Sequence, residues 1–283
     1  MSLIRPFSEL SDGEISQKIT DETIERVRLY LNNLATPDII NKLQDYSLVI
    51  TGTIGAGKST ICESIVHILK TLYPSLSLIT YPEFLFVNDG DTSNKLLTEK
   101  INNRVSVNTF QSFILDKWRN ILEQNKNEKG FKIFERCVDD CVFCFCNIEN
   151  KRQKLSDFQL FSLYEELKKL DEIYQVPTYF ETTTVKNNDS HFTKINSTDL
   201  NYNIQTIFSI ISADLHNGIK NRIIGLYADT KLSKERIRKR LRDGELGYTD
   251  EQIDDYNKHY KKLFKILDNG VRFNRFVDIG QLL

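Results

Sequence analysis

A run of eight residues has the composition of a phosphate-binding loop. The segment Gly52-Thr53-Ile54-Gly55-Ala56-Gly57-Lys58-Ser59 fits the pattern G-x-x-x-x-G-K-[S/T], and Thr60 follows it. The glycines of such a loop let successive backbone N–H groups point at phosphate oxygens, and the next helix adds the positive end of its dipole. We expect Lys58 to contact the β- and γ-phosphates and the Ser59 hydroxyl to ligate Mg²⁺. The loop predicts a nucleoside triphosphate site and leaves the second substrate open.

A basic segment lies between residues 236 and 242. Arg236 and Arg240 are four residues apart, which places them on one face of a helix, and Arg242 follows. A charge run by itself favours a solvated helix or a nucleic-acid patch. A phosphate loop in the same chain instead favours arginines that neutralise a transferred phosphoryl group.

Two carboxylates directly follow strand candidates. Glu83 comes just after the second strand candidate, and Glu135 with Arg136 comes after the third. Ligands of parallel sheets collect at the carboxyl ends of the strands, and a carboxylate there can take a proton from a substrate hydroxyl. The alternative for each glutamate is a surface ion pair.

Four of the five cysteines lie within ten residues: Cys137, Cys141, Cys144 and Cys146. The first three are at helical spacing, and four thiolates could bind Zn²⁺. Structural zinc usually takes two Cys pairs set well apart, so we interpret them as small buried apolar residues. The odd number of cysteines and the length of the chain argue against a disulfide framework and predict a reducing, cytoplasmic location.

Composition excludes several classes of protein. The chain has 283 residues with 38 Lys and Arg against 39 Asp and Glu, a formal charge of −1. That balance argues against binding duplex nucleic acid through bulk positive charge. No run reaches the ~18 apolar residues of a membrane span. The first residues have no apolar segment typical of a secretory signal.

Strand and helix patterns alternate along the chain. Strands are expected over 46–51, 75–81, 131–134, 222–228 and 271–278, with helices over 58–72, 107–123, 233–241 and 249–267 and further helical pattern to about 171. Residues 1 to about 44 predict two or more helices, and the polar stretch 172–203 predicts a long loop. The alternation predicts an α/β fold of the P-loop NTPase type, with about five parallel strands and helices on both faces. We expect an N-terminal helical extension over 1–45 and one domain over 46–283 with an insertion near 172–216.

Together these motifs resemble the deoxynucleoside kinase family over residues 46 to about 280, apart from the insertion. The resemblance rests on the order and spacing of short landmarks: the loop Gly52–Thr60, Pro82-Glu83, Phe110-Gln111, Glu135-Arg136-Cys137 and the segment 236–245. It implies transfer of the γ-phosphoryl of ATP, with Mg²⁺, to the 5′-hydroxyl of a deoxynucleoside. It also implies a homodimer.

The resemblance assigns roles to individual residues. Glu83 matches the general base, Glu135 the carboxylate associated with Mg²⁺, and Arg136 its neighbour near the 5′-oxygen. Three arginines match those that close over the ATP phosphates: Arg236, Arg240 and Arg242. Four residues match the nucleoside pocket: Gln111 and Phe145 at the base, Cys141 at a base-selecting position, and Glu245 at the ribose 3′-hydroxyl.

The chain departs from the family pattern in the sugar pocket. The family has Glu-Pro-Val-x-x-Trp, whereas Glu83 here is followed by Phe-Leu-Phe-Val-Asn. Lys100 stands where a ribose-contacting Tyr is usual, and Cys137 replaces a Ser. A large DNA virus is one source that fits such divergence. Two alternatives stay open: a nucleoside monophosphate kinase, with Lys100 holding the acceptor phosphate, and a kinase-fold binding or structural protein without catalysis.

Overall fold

A computed structural model describes residues 12–32, 36–83, 90–179, 191–240, 245 and 247–269. Its strands are β1 Ser47–Gly52, β2 Leu78–Tyr81, β3 Phe131–Glu135, β4 His191–Ile195 and β5 Asn221–Leu226. Its helices are α1 Asp12–Lys18, α2 Asp21–Asn32, α3 Thr36–Gln44, α4 Lys58–Leu72, α5 Gly90–Ile101, α6 Val107–Asn125, α7 Asn147–Lys151, α8 Asp157–Tyr174, α9 Leu200–Asn217, α10 Thr230–Arg240 and α11 Asp250–Asp268. A single π-helical turn, Cys141–Cys146, precedes α7.

The five strands form one parallel sheet in the order β2-β3-β1-β5-β4. Because every strand runs the same way, all carboxyl ends meet at one edge, with β1 in the centre. The expected α/β fold with about five parallel strands and helices on both faces is confirmed. This edge is where the phosphate loop lies.

Side chains of β1 alternate between two hydrophobic cores, as the period of a strand requires. Val49 packs on one face, in the core that contains residues of α6, α8, α11 and the π-helical turn. Leu48 and Ile50 pack on the other face with residues of α1 to α4 and α9. A sheet covered on both faces accounts for the nearly unbroken apolar run of β1.

The expected helices before β1 are confirmed as α1, α2 and α3. Val27 and Leu31 of α2 are fully buried in the same core as the strands. At the junction of α1 and α2, the Thr20 backbone N–H donates to Asn201 Oδ1 of α9 over 3.1 Å, and Asn201 Nδ2 donates to the Lys18 carbonyl over 3.2 Å. These helices therefore help to cover one face of the sheet. The division at residue 45 stays a prediction.

Four of the five observed strands lie where the sequence predicts them, whereas β4 was not predicted. The expected loop over 172–203 is wrong in part, because His191–Ile195 is strand β4 and α9 begins at Leu200. β4 is an edge strand that mixes polar and apolar residues and is only half-buried, so it lacks the apolar run that identifies an inner strand. The strand expected over 271–278 lies outside the described residues. Whether 172–216 is an insertion stays a prediction.

All five cysteines are free and buried, as expected for small apolar residues. Within the described ranges, no three or more His, Cys, Asp or Glu side chains are grouped so as to hold a metal ion. None of the helices in those ranges is both long enough and apolar enough to cross a bilayer.

Candidate active site

The phosphate loop connects β1 to α4 and depends on glycine. Gly52 has a φ of 140°, Gly55 of 77° and Gly57 of 88°, values that side chains rarely adopt. A Cβ on Gly52 would also lie 1.9 Å from the Leu226 carbonyl oxygen of β5. Thr53 Oγ1 accepts a hydrogen bond from the Ala228 N–H over 2.9 Å, which fixes the loop to the segment just after β5. The loop is therefore fixed between β1 and its neighbour β5.

Two basic side chains fold back onto this loop. Lys58 is 5% exposed, and its Nζ donates to the carbonyls of Gly52 over 3.4 Å and Thr53 over 3.1 Å. Arg236 of α10 donates from Nη1 to the Gly55 carbonyl over 2.9 Å. Both side chains line the groove above the loop. The Arg240 side chain and Arg242 lie outside the described residues.

Glu135 links the loop to the end of β2. Its Oε1 accepts a hydrogen bond from Ser59 Oγ over 2.6 Å, and its Oε2 accepts one from the Glu83 N–H over 3.4 Å. Burial, together with the nearby Glu83 charge, raises the pKa of Glu135 to about 7, although Lys58, Ser59 and Arg136 act in the opposite direction. The ionised form of Glu135 is thus destabilised by burial and by the neighbouring Glu83 carboxylate.

Arg136 has a strained backbone and a densely bonded side chain. Its φ of 82° is unusual for a residue with a side chain and costs about 1–3 kcal/mol. Nε donates to Glu83 Oε1 over 2.5 Å, while Nη1 donates to the Gly52 carbonyl over 3.3 Å and to the Tyr260 hydroxyl over 2.9 Å. Burial disfavours its charge, but the Glu83 carboxylate raises the pKa of Arg136 above its usual value. The guanidinium is therefore positioned between the phosphate loop and Glu83.

The residues present fit a bound Mg²⁺. This ion usually keeps several waters and takes one or two protein oxygens together with substrate phosphates. Ser59 Oγ and Glu135 Oε1 are hydrogen-bonded neighbours at the groove above the loop. They are the residues that would hold the ion against a triphosphate.

A narrow pocket of about 70 Å³ opens beside Glu83. All seven residues expected to bind the substrate line it: Glu83, Lys100, Gln111, Arg136, Cys141, Phe145 and Glu245. They come from separate parts of the chain, including α5, α6, the end of β3 and the π-helical turn. The fold therefore brings the predicted acceptor residues together in one cavity, although their roles stay proposals.

The phosphate loop lines a second, larger groove of about 490 Å³. The predicted residues Ile54, Gly55, Ala56, Gly57, Lys58, Ser59, Thr60, Glu135 and Arg236 line this groove, together with Lys239. Gly52 and Thr53 instead present carbonyls to Lys58. Five residues line both cavities: Ile54, Glu83, Glu135, Arg136 and Glu245. The pocket and the groove therefore meet at the carboxylates.

Lys100 is neutralised by a residue that sequence reasoning missed. Its Nζ lies 2.8 Å from Glu149 Oε1 of α7 in an ion pair that is almost fully buried. Glu149 Oε1 also accepts from the Tyr256 hydroxyl over 2.8 Å. Burial opposes the charge, but Lys100 lowers the pKa of Glu149. Lys100 therefore lines the pocket as one half of an ion pair.

Cys141, at the predicted base-selecting position, is hydrogen-bonded to the predicted base-binding amide of Gln111. Cys141 Sγ donates to Gln111 Oε1 over 3.0 Å. The neighbouring Asp140 carboxylate accepts from Thr51 Oγ1 over 2.5 Å and from the Tyr179 hydroxyl over 2.6 Å. Burial raises the pKa of Asp140, while Arg136 and these hydroxyls oppose that effect. Asp140 is therefore occupied by structural bonds, and Cys141 presents the smaller, less polar group.

Helical spacing could have identified two further lining residues. Ile114 and Trp118 lie three and seven residues after Gln111 on α6, and both line the pocket. Tyr248, which lies just before α11, also lines it and carries no comparable sequence signal.

The fold and site define an α/β protein with a phosphate loop at the carboxyl edge of a parallel sheet. No family model and no curated protein sequence matches the chain. The chain is similar to solved structures of deoxyadenosine kinase from M. mycoides. The structure with bound dATP is 18% identical with a TM-score of 0.47, and the one with bound dCTP is 16% identical with a TM-score of 0.48. Each match covers 83% of this chain and 94% of the other.

These identities and TM-scores are too low to carry a functional conclusion, which must come from the residues of the site. A viral source for the chain has no support in these comparisons.

Proposed function

We propose that the protein transfers the γ-phosphoryl group of ATP to the 5′-hydroxyl of a deoxynucleoside. The observation that carries this proposal is the meeting of two cavities at Glu83, Glu135 and Arg136. One cavity is lined by a phosphate loop, and the other mainly by apolar and aromatic side chains. A donor phosphate and an acceptor hydroxyl brought to that junction would face each other.

On the donor side, phosphoryl transfer needs positioning and neutralisation of charge. Lys58 and Arg236 now bond to loop carbonyls, and both can turn to phosphate oxygens in the groove they line. Mg²⁺, held by Ser59 and Glu135, would neutralise charge on the phosphates. Arg240 and Arg242 are proposed to add to this charge on the grounds of the family resemblance.

On the acceptor side, Glu83 is proposed to take the proton of the attacking hydroxyl. Its ion pair with Arg136 fixes the orientation of the carboxylate toward the junction. The pocket of about 70 Å³ is smaller than the ~300–1,000 Å³ of typical small-molecule sites. A nucleoside can therefore enter only if the lining side chains move apart.

A nucleoside monophosphate kinase is the second candidate, because Lys100 lines the acceptor pocket. Its buried pairing with Glu149 weakens this reading, since the lysine charge is already compensated. The third candidate is a kinase-fold binding protein without turnover.

One assay separates the three functions: ADP release measured with each of the four deoxynucleosides and with thymidylate. We expect turnover with at least one deoxynucleoside and little with thymidylate. Lys58→Ala is the control. It should abolish turnover while circular dichroism stays unchanged, because it removes the charge that contacts the phosphates. Preferential use of thymidylate would contradict the acceptor assignment. Full turnover by a folded Lys58→Ala variant would contradict the proposal that this site catalyses phosphoryl transfer.

A further inference from the structure

The phosphate groove continues past the loop, over the carboxyl ends of β5 and β4. Its polar lining there comes from the end of α1, from the β4–α9 connection and from the first turn of α9. These residues are Lys18, Ser197, Thr198 and Asn203. The strand order puts this region on the opposite side of β1 from the acceptor pocket, whose catalytic candidates follow β2 and β3. A triphosphate bound with its γ-phosphate facing Glu83 would have its sugar and base on the β4 side of this groove.

Asn203 is the buried polar side chain of this region, with 5% of its surface exposed. Its Nδ2 donates to the Ser197 carbonyl over 3.1 Å, which fixes the orientation of the amide. Its Oδ1 has no hydrogen-bond partner among the described residues. A buried acceptor without a partner costs about 1–3 kcal/mol, and because Asn203 lines the groove, a group bound there would satisfy it.

The N-terminal helices complete the wall around Asn203. Lys18 lies at the end of α1, and its carbonyl accepts from Asn201 Nδ2, two residues before Asn203. Thr23 of α2 donates from its hydroxyl to Asn201 Oδ1 over 2.9 Å. The first turn of α9 is thereby held against the extension. The polar end of the groove is therefore held together by side-chain hydrogen bonds that link α1, α2 and α9.

We propose that Asn203 Oδ1 accepts a hydrogen bond from the exocyclic amino group of the donor base, which makes Asn203 a specificity residue for adenine nucleotides. The inference rests on the proposed binding of a triphosphate at the phosphate loop. Adenine offers an N–H₂ donor at this position of the ring, whereas guanine and uracil offer an oxygen. An oxygen facing Asn203 Oδ1 leaves two acceptors unpaired, which a buried site penalises strongly.

Titration calorimetry of nucleotide binding in the presence of Mg²⁺ tests the role of Asn203 without requiring turnover. ATP is compared with purine riboside 5′-triphosphate, which differs only in lacking the amino group. We expect the wild type to bind ATP about tenfold more tightly, a typical effect of one hydrogen bond of about 1.4 kcal/mol. Asn203→Leu, which keeps the size but removes the acceptor, should bind both nucleotides equally. Asn203→Ala replaces it if the leucine variant does not fold.

Asn257→Leu is the matched control. Asn257 is also a buried asparagine whose Nδ2 donates to a neighbour, Ser233 Oγ, and whose Oδ1 has no partner among the described residues, but it lines neither cavity. It should keep the preference for ATP. Equal binding of both nucleotides by the wild type, or loss of the preference in Asn257→Leu, overturns the inference.

The same titrations separate this inference from the proposed function. If the wild type prefers ATP but phosphorylates no deoxynucleoside, the role of Asn203 stands and only the acceptor half of the proposal fails. If neither nucleotide binds, both the triphosphate site and the role of Asn203 are overturned.

Discussion

At the scale of single residues, the candidate site contains two ion pairs and a buried carboxylate. Arg136 pairs with Glu83 and Lys100 with Glu149, while Glu135 accepts a hydrogen bond from Ser59. Removing one partner of a buried pair leaves the other uncompensated, so substitutions here act on both stability and chemistry. Variants that keep the shape of the side chain separate these effects best.

Glu83→Gln keeps the shape of the side chain but cannot accept a proton. We expect the turnover number to fall by about 10²–10⁴-fold, the usual contribution of a general base, with little change in ATP affinity. Steady-state kinetics and titration calorimetry measure the two quantities. Turnover within a few-fold of the wild type would show that the base lies elsewhere.

Cys141 is predicted to let the protein use thymidine at least as well as deoxycytidine. Its thiol occupies Gln111 Oε1, which leaves the Gln111 amide nitrogen as a donor for a base carbonyl, and it provides no strong acceptor for the cytosine amino group. We expect thymidine to be used at least as well as deoxycytidine, and Cys141→Asp to shift the ratio of kcat/KM toward deoxycytidine by about tenfold or more.

Cys141→Ser is the control for that substitution, because it keeps a small donor and should leave the ratio nearly unchanged. Strong wild-type preference for deoxycytidine, or an unmoved ratio in Cys141→Asp, would contradict the placement of Cys141 at the base.

At the scale of elements, α2 shows how the N-terminal helices belong to the core. Its buried residues recur at a spacing of four, with Thr23, Val27 and Leu31 all on the face that meets α9. The spacing of these residues can be read from the sequence, but the sequence does not show that they pack against α9.

Leu31→Ala should lower the free energy of unfolding by about 2–5 kcal/mol, because Leu31 is fully buried. Leu29→Ala is the matched control on the same helix: Leu29 is 65% exposed and should cost less than about 0.5 kcal/mol. Denaturant titrations measure both values. Equal effects would mean that α2 does not pack on the sheet domain.

At the scale of the whole molecule, the stability of the fold also depends on a buried histidine that lines neither the pocket nor the groove. His259 of α11 is buried and bonds from Nε2 to the Phe143 carbonyl over 2.6 Å, which joins α11 to the π-helical turn. Burial lowers the pKa of His259 to about 4. The homodimer implied by the resemblance stays a prediction at this scale.

Acidification should therefore weaken the fold through His259. The folded pKa lies below the ordinary value of 6.5, so the unfolded chain takes up the proton first. Stability contributed by neutral His259 is complete above about pH 6.5 and is lost as the pH falls toward 4, by about 3 kcal/mol. Denaturant titrations across this range should show a shallower decline in His259→Gln than in the wild type. His216→Gln, at an exposed position on α9, should keep the wild-type slope. Identical slopes in all three proteins would contradict the assignment.

Features that depend on neighbouring residues could be predicted from the sequence. The phosphate loop and helix α4, Lys58–Leu72, follow from local glycine spacing and apolar periodicity. Four strands of the parallel sheet follow from short apolar runs. Because Glu83, Glu135 and Arg136 lie at or just after the ends of such runs, the sequence also predicts that they share one edge of the sheet, and all three line the groove there.

Only the tertiary structure decided which distant residues meet. Lys100 and Glu149 are 49 residues apart, and their pairing changes an apparent phosphate ligand into half of an ion pair. β4 is identified only by its backbone pairing with β5, because an edge strand needs no continuous apolar run that the sequence would show. Asn203 has the same sequence character as any helical asparagine. Its burial beside Ser197, and the lack of a partner for its oxygen among the described residues, depend on the tertiary structure. Periodicity and motifs record local geometry, whereas burial and charge compensation depend on contacts between segments far apart in the chain.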